Sequence, residues 1–149
     1  MAKHMMRAAA LIVSAAIAAG LTGCGEDKAA TPKDATIMNI GIVQLVEHDA
    51  LDAANRGIID GMAKRGFKDG VNVKFDKQNA QADQSNLHNI ATRFVSNKDK
   101  LIFAIATPAA QSVASVTKEI PIVATAVTNV EVARLVKSNK APGGNVTGV

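Results

Sequence analysis

Residues suited to binding follow the apolar segment LIFAIA, which runs from Leu101 to Ala106. Thr107, Pro108 and Ala109 come directly after it. A threonine before a proline is typical of a helix start, because the hydroxyl caps the first turn and proline lacks an N–H that would have no helical partner there. A helix start also presents free N–H groups and a partial positive charge, which suit a carboxylate. We therefore predict a ligand site at this position.

Three other loops supply polar side chains that could contact the same ligand. Each loop follows a predicted strand. Their amides, hydroxyls and imidazole suit hydrogen bonds to a small polar molecule. The candidate contacts are Gln44 and His48 in the first loop, Asn79 in the second, and Thr125 and Thr128 in the fourth.

Other kinds of site lack their sequence signatures. A metal site built from Glu47, His48 and Asp52 would have no second histidine nearby. The chain has no G-x-S-x-G motif for a nucleophile, and neither a Walker A motif nor G-x-G-x-x-G follows the first strand. We therefore predict no cofactor, no metal and no catalytic residues. The alternative is a small enzyme on a flavodoxin-like scaffold that uses His48 or Asp49 as a base.

The predicted strands place these loops at one edge of a sheet. Residues 101–106 are apolar throughout, as in a parallel strand that is buried on both faces. Further strands are predicted over residues 37–43, 71–75, 122–124 and 145–149. Helices are predicted over about 50–65, around 87–95, after Thr107 and, as a weaker pattern, through about 137. This alternation predicts a doubly wound α/β fold of strand order 2-1-3-4-5, with its ligand site between the first and third strands.

Composition narrows the class of protein. The 149 residues are 48% hydrophobic and 20% charged, which describes one globular domain. The net charge of +4 falls to +2 without Lys3 and Arg7, since residues 1–23 contain no acid. The lack of a basic cluster, and of any Trp or Tyr, argues against a nucleic-acid partner. The single cysteine excludes an internal disulfide.

The first 36 residues have the layout of an exported lipoprotein. A basic start precedes an apolar run over residues 8–20, which is too short for a comfortable membrane span. The LTGC segment that ends at Cys24 resembles the bacterial lipobox, in which the cysteine is lipidated and anchors the protein to a membrane. We predict a signal peptide over residues 1–23, a polar tether over 24–36 and the folded domain over 37–149. A plain signal peptide with an incidental cysteine is the alternative.

Five consecutive segments resemble the amino-terminal lobe of ABC transporter substrate-binding proteins. The most similar group contains the tryptophan and tyrosine binding lipoproteins, and the resemblance covers residues 37–149. It implies a lobe of the periplasmic-binding-protein type I fold, with ligand contacts at Gln44, His48, Asn79, Thr107 and Pro108, and with Thr125 and Thr128 behind them. The segments are GIVQLVEHDALDAANRGIIDGM, FDKQNAQADQSNLHNIATRFV, LIFAIATPAAQSVA, IPIVATAVTN and APGGNVTGV.

The resemblance also implies a function. It describes an extracytoplasmic lipoprotein that delivers a solute, by family an aromatic amino acid, to the permease of an ABC importer. Two positions depart from the family pattern: Asp49 stands where proline is frequent and adds a carboxylate near the ligand, and Asn129-Val130 stands where Asp-Pro is frequent. Family members are roughly twice as long, so we expect a truncated protein that lacks the second lobe, folds marginally and binds its ligand weakly.

Overall fold

The computed structural model describes residues 37–148 and has the predicted α/β architecture. Five parallel strands form one sheet in the order β2-β1-β3-β4-β5, which confirms the predicted strand order. The elements are β1 Met38–Gln44, α1 Asp49–Lys64, β2 Val73–Asn79, α2 Gln84–Ser96, β3 Leu101–Ile105, α3 Thr107–Val116, β4 Ile122–Thr125 and β5 Val146–Gly148.

A row of paired residues lies at the carboxyl ends of the strands, which together form the carboxyl edge of the sheet. Gln44, the last residue of β1, pairs with Asn79 of β2 and with Ile105 of β3. Ile105 in turn pairs with Thr125 of β4. The four strands therefore end level with one another, and the loops that follow them begin at the same edge. Parallel α/β sheets bind their ligands at this edge.

Two apolar clusters cover the two faces of the sheet. Ile102 and Ala104 of β3 belong to the cluster under α2 and α3, whereas Phe103 and Ile105 belong to the cluster under α1. Successive side chains of a strand point to opposite faces, so a strand covered on both faces must be apolar throughout. Complete burial of an Ile or Leu side chain stabilises the fold by roughly 2 to 3 kcal/mol. This burial holds the central strands in place, together with the loops that follow them.

The strand predicted over residues 71–75 begins and ends later than expected. Val71 is 53% exposed and lies in a turn in which its N–H donates to the carbonyl of Lys68. The strand instead runs from Val73 to Asn79, and its second half carries exposed polar residues. Because β2 is an edge strand, that half lacks the apolar pattern by which strands are predicted. The other four strands agree with the prediction to within one residue.

The helix predicted to run through about residue 137 is wrong. The chain makes a single turn there, in which the Asn129 side-chain oxygen accepts hydrogen bonds from the N–H groups of Glu131 and Val132, both at 2.9 Å. Ala133 N–H closes the turn on the Asn129 carbonyl. Arg134 then has a φ of 57°, in the left-handed region, which ends helical geometry.

Candidate functional site

The end of β1 is held by the side chain of Gln44, which is 5% exposed. Its Nε2 donates to the Val46 carbonyl at 2.8 Å and to Asp52 Oδ1. Its Oε1 accepts a hydrogen bond from Asn55 Nδ2 at 3.2 Å. Both N–H groups of the amide are thus engaged within the fold, and only the second lone pair of the Gln44 oxygen remains for a ligand.

The loop after β2 is tied to the end of β1. The N–H of Ala80 donates to the Gln44 carbonyl at 2.9 Å, and the N–H of Ala82 donates to the Leu45 carbonyl at 2.8 Å. Asn79 is exposed, and its Oδ1 accepts from Gln81 N–H at 2.8 Å. The Asn79 amide nitrogen is left as a possible donor to a ligand.

The start of α3 differs from the predicted cap. Ala106 occupies the N-cap position and Thr107 is the first helical residue, so the Thr107 hydroxyl does not cap the helix. Ala106 has a φ of 83° and a ψ of 154°, a region that is occupied almost only by glycine. Its N–H donates to the Thr125 carbonyl at 3.0 Å, which holds this geometry against β4. The helix begins one residue earlier than the sequence indicates, so its N-cap residue is an alanine, which has no side-chain acceptor for the first helical N–H groups.

The two other helix starts do have side-chain caps. His48 Nδ1 accepts from Ala50 N–H at 3.2 Å at the start of α1. Asp83 Oδ1 accepts from Asn86 N–H at 2.7 Å at the start of α2. The first turn of α3 has no such bond. Its N–H groups at Thr107 and Ala109 are thus uncapped by any side chain, at the centre of the carboxyl edge.

The two threonines predicted as ligand contacts near the end of β4 have different positions. Thr125 ends β4 beside Ile105 and is half-buried. Thr128 is exposed and lines a cavity of about 270 Å³ together with Asn129, Asn139 and Gly148. That cavity lies over β4 and β5, so the structure does not bring Thr128 together with the residues at the ends of β1 and β2.

A cavity of about 290 Å³ gathers the polar groups at the ends of β1 and β2. It joins two predicted contacts, Gln44 and Asn79, with Asp52 and Asn55 of α1. The sequence indicated Asp52 only as a metal ligand, and Asn55 was not predicted. Asp52 and Asn55 are three residues apart on a helix, which places both side chains on one face. This spacing was the sequence feature from which Asn55 could have been predicted. The complete lining is Gln44, Glu47, Asp52, Asn55, Lys77, Gln78 and Asn79.

Within residues 37–148, no three side chains of His, Cys, Asp or Glu gather as metal ligands, and Glu47, His48 and Asp52 are no exception. No helix in this range is long and apolar enough to cross a membrane. Cys24, the predicted lipidation site, lies outside the described residues.

A second polar cavity, of about 390 Å³, lies at the other end of the strands, near their amino ends. Asp99 lines it, is 3% exposed, and receives no hydrogen bond on either carboxylate oxygen from the described residues. Burial, with a contribution from the Asp76 charge, raises the pKa of Asp99 to about 6, while the Arg93 charge opposes the rise. Arg93 pairs with Asp76 at 2.9 Å. This cavity is remote from the carboxyl edge, where the candidate ligand contacts lie.

Comparison with known proteins identifies the family. The model for ABC transporter substrate binding proteins matches residues 39–149. A Tyrosine-binding protein from Clostridioides difficile (strain R20291) is 47% identical over 135 residues, covering 86% of this chain and 39% of that protein.

Two solved structures are also similar. The ligand-free, open structure of a substrate binding protein with adhesive properties from Clostridium difficile is 51% identical, with a TM-score of 0.74 over 75% of this chain and 38% of that chain. An ABC domain in complex with L-Trp from Streptococcus pneumonia is 46% identical, with a TM-score of 0.73 over 76% of this chain and 38% of that chain.

This chain therefore spans about two fifths of the length of these relatives. The relatives are substrate-binding proteins and not enzymes, so the enzyme alternative based on His48 or Asp49 is wrong. Because the family model matches most of the chain and the relatives share close to half of its residues, the chain belongs to the ABC transporter substrate-binding protein family.

Proposed function

We propose that the chain is the ligand-binding lobe of an extracytoplasmic substrate-binding protein of an ABC importer, and that its ligand is an aromatic amino acid. The observation that carries this proposal is the uncapped start of α3 at the centre of the carboxyl edge. Its free N–H groups and helix dipole suit the carboxylate that every amino acid carries. The aromatic class is supported by the names of a Tyrosine-binding protein and a complex with L-Trp among the relatives.

In this proposal the backbone of α3 binds the ligand carboxylate. The N–H groups of Thr107 and Ala109 donate to it, while Pro108, which has no N–H, fixes the first turn. The residues around this position contribute flanking hydrogen bonds to the ligand. They are Gln44 through its carbonyl oxygen, His48, Asn79 and Thr125, whereas Thr128 lines a separate cavity and is left out of the proposed contacts.

The proposal extends to the membrane and to the transporter. Residues 1–23 act as a signal peptide, and lipid on Cys24 anchors the protein to the membrane through the tether of residues 24–36. The folded domain from residue 37 onward then presents its ligand to the ABC permease. The LTGC segment and the family support these assignments.

The ligand class is tested by adding each ligand to the ¹⁵N-labelled chain and measuring the NMR chemical shifts of its amides. This measurement detects binding even when it is weak. L-Tyr and L-Trp should shift the amides of Thr107 and Ala109. Tyramine and tryptamine, which lack the carboxylate, should leave those two amides unshifted. L-Glu provides the control for a carboxylate on a ligand without an aromatic ring.

The outcomes separate the parts of the proposal. If tyramine shifts the α3 amides as far as L-Tyr does, the carboxylate does not bind there. If neither L-Tyr nor L-Trp shifts any amide at the carboxyl edge, the proposed function is wrong.

A further inference from the structure

The cavity near the amino ends of the strands, the amino-end cavity, gathers oxygen-bearing side chains from four parts of the chain. They are Asn39 of β1, Asp76 of β2, Asn97 just after α2 and Asp99 just before β3. Two carboxylates and two amide oxygens are ligands that a hard cation such as Ca²⁺ prefers. The sequence predicts no metal there, because the four residues lie in separate elements and no local motif joins them.

Asp99 is the lining residue whose charge has no partner among the described residues. Its side chain is buried, and neither carboxylate oxygen accepts a hydrogen bond from them. A Cβ on Gly41 would lie 2.9 Å from Asp99 Oδ2, so the lack of a side chain at Gly41 leaves room for this carboxylate. A buried charge without hydrogen bonds is costly. A cation bound beside Asp99 would offset that cost.

The end of α2 adds negative potential to the amino-end cavity. The helix ends at Ser96, and Asn97, which lines the cavity, is its C-cap residue. Asp99 N–H donates to the Phe94 carbonyl at 3.1 Å, which holds Asp99 against this end of the helix. The carboxyl end of a helix carries the negative end of the helix dipole and stabilises cations. The dipole and the Asp99 carboxylate therefore favour the same charge.

The two basic side chains that line the cavity leave the Asp99 charge uncompensated. Arg93 pairs with Asp76 at 2.9 Å, and this is the one ion pair in the described part of the chain. Lys74 is exposed and pairs with no acid among residues 37–148. The Arg93 charge thus offsets that of Asp76. Each Asp76 oxygen has a second lone pair, so Asp76 can still contribute an oxygen to a cation.

We propose that the amino-end cavity is a Ca²⁺ site in which Asp99 is the main ligand and Asn39, Asn97 and Asp76 supply further oxygens. Ca²⁺ accepts about six to eight oxygens in irregular arrangements, and water fills the positions that the protein does not. With one uncompensated carboxylate the site is weak, with a Kd of about 0.1 to 1 mM. The bound ion ties the end of α2 to β1 and β2. This inference is independent of the proposed function, because the site lies away from the carboxyl edge.

The test is a CaCl₂ titration of the full ¹⁵N-labelled chain at pH 7 and constant ionic strength. The side-chain amides of Asn39 and Asn97 and the backbone amide of Asp99 should shift saturably, with a midpoint of about 0.1 to 1 mM. The backbone amide of Thr107, at the carboxyl edge, should not shift. MgCl₂ should bind at least about tenfold more weakly, because Mg²⁺ requires near-octahedral geometry and gives up water reluctantly. NaCl should produce no saturable shift.

Three variants assign the binding to Asp99. Asp99→Asn keeps the shape of the side chain and removes its charge, so Ca²⁺ should bind at least about tenfold more weakly. This variant should remain folded, because it buries a neutral amide in place of a charge. Asp60→Asn removes the same charge from an exposed position on α1 and should keep the wild-type affinity. Arg93→Gln removes a positive charge that opposes the cation, so it should tighten Ca²⁺ binding several-fold.

Thermal unfolding gives a second readout. A ligand that binds only the folded state raises its stability, so about 10 mM CaCl₂ should raise the melting temperature of the wild type by several degrees. The rise should be absent in Asp99→Asn and unchanged in Asp60→Asn.

Several results would overturn the inference. They are the absence of saturable shifts in the wild type, equal Ca²⁺ affinities in the wild type and Asp99→Asn, and equal effects of NaCl and CaCl₂. Binding of Mg²⁺ as tight as that of Ca²⁺ would overturn the assignment to Ca²⁺. If Asp99→Asn proves insoluble, Arg93→Gln decides, since weaker or unchanged Ca²⁺ binding in that variant contradicts a cation beside these residues.

Discussion

At the scale of single residues, Ala106 shows how the site depends on an unfavourable backbone geometry. A non-glycine residue at a φ of 83° and a ψ of 154° is strained by roughly 1 to 3 kcal/mol. Ala106→Gly should relieve most of this strain and raise the free energy of unfolding by about 1 kcal/mol, after the greater flexibility of glycine in the unfolded chain is subtracted. Urea unfolding measures the change. A lower stability would show that the Ala106 methyl packs favourably.

Asp99 provides a second prediction at this scale, which concerns pH. Its pKa is raised from 3.8 to about 6, so the folded state binds the proton more tightly than the unfolded state. The stability associated with this proton is fully present below pH 4 and is lost as the pH rises to about 6. Above that pH the buried carboxylate costs about 2 to 3 kcal/mol.

Asp99→Asn should therefore raise stability at pH 7 by up to that amount and flatten the pH dependence between pH 4 and 6. Thermal unfolding across this pH range measures both effects. Asp60→Asn, at an exposed position on α1, serves as the control for a simple change in net charge. An unchanged pH profile in Asp99→Asn would mean that Asp99 has partners in solution.

At the scale of elements, the packing of α2 on β1 depends on Gly41. A Cβ there would lie 2.7 Å from the Phe94 ring and 2.9 Å from the Asp99 carboxylate. Gly41→Ala should therefore push α2 away from the sheet and destabilise the fold by about 1 to 3 kcal/mol. Gly57→Ala, on α1 where an added Cβ would meet nothing within 4 Å beyond its own stretch of helix, should stabilise by about 0.5 to 1 kcal/mol. If both variants lose stability equally in urea, the contact with Phe94 is not the cause.

The elements also show how far the sequence determines the fold and the site. Apolar runs and helical periodicity predict β1, β3, α1 and α2, because burial decides those patterns. The polar second half of β2 and the single turn after Asn129 escape prediction, because hydrogen bonds and a left-handed residue decide them. The same limit applies to the site. The sequence indicates the start of α3, but only the structure reveals the φ of Ala106 and the bonds that join Gln44 to Asp52 and Asn55.

At the scale of the whole molecule, the carboxyl ends and the amino ends of the strands carry different polar groups. The carboxyl edge carries free N–H groups at the start of α3 and a carboxylate on α1. The amino ends carry the buried Asp99 and the Arg93–Asp76 ion pair. The proposed ligand site thus belongs to the carboxyl edge. Substitutions at Asp99 should change stability without changing which ligand is bound.

The proposed membrane anchoring also concerns the whole chain, and the proposal rests on the order of basic start, apolar run and LTGC. A cysteine that follows a small residue at the end of such a leader is typical of lipidation, and acyl chains hold a protein at a membrane without a spanning helix. In bacteria grown with labelled palmitate, the wild-type chain should carry the label and sediment with membranes. Cys24→Ala should remove the label, whereas Gly23→Ala, which keeps a small residue before the cysteine, should retain it. Label that persists in Cys24→Ala would show that the anchor lies elsewhere in the chain.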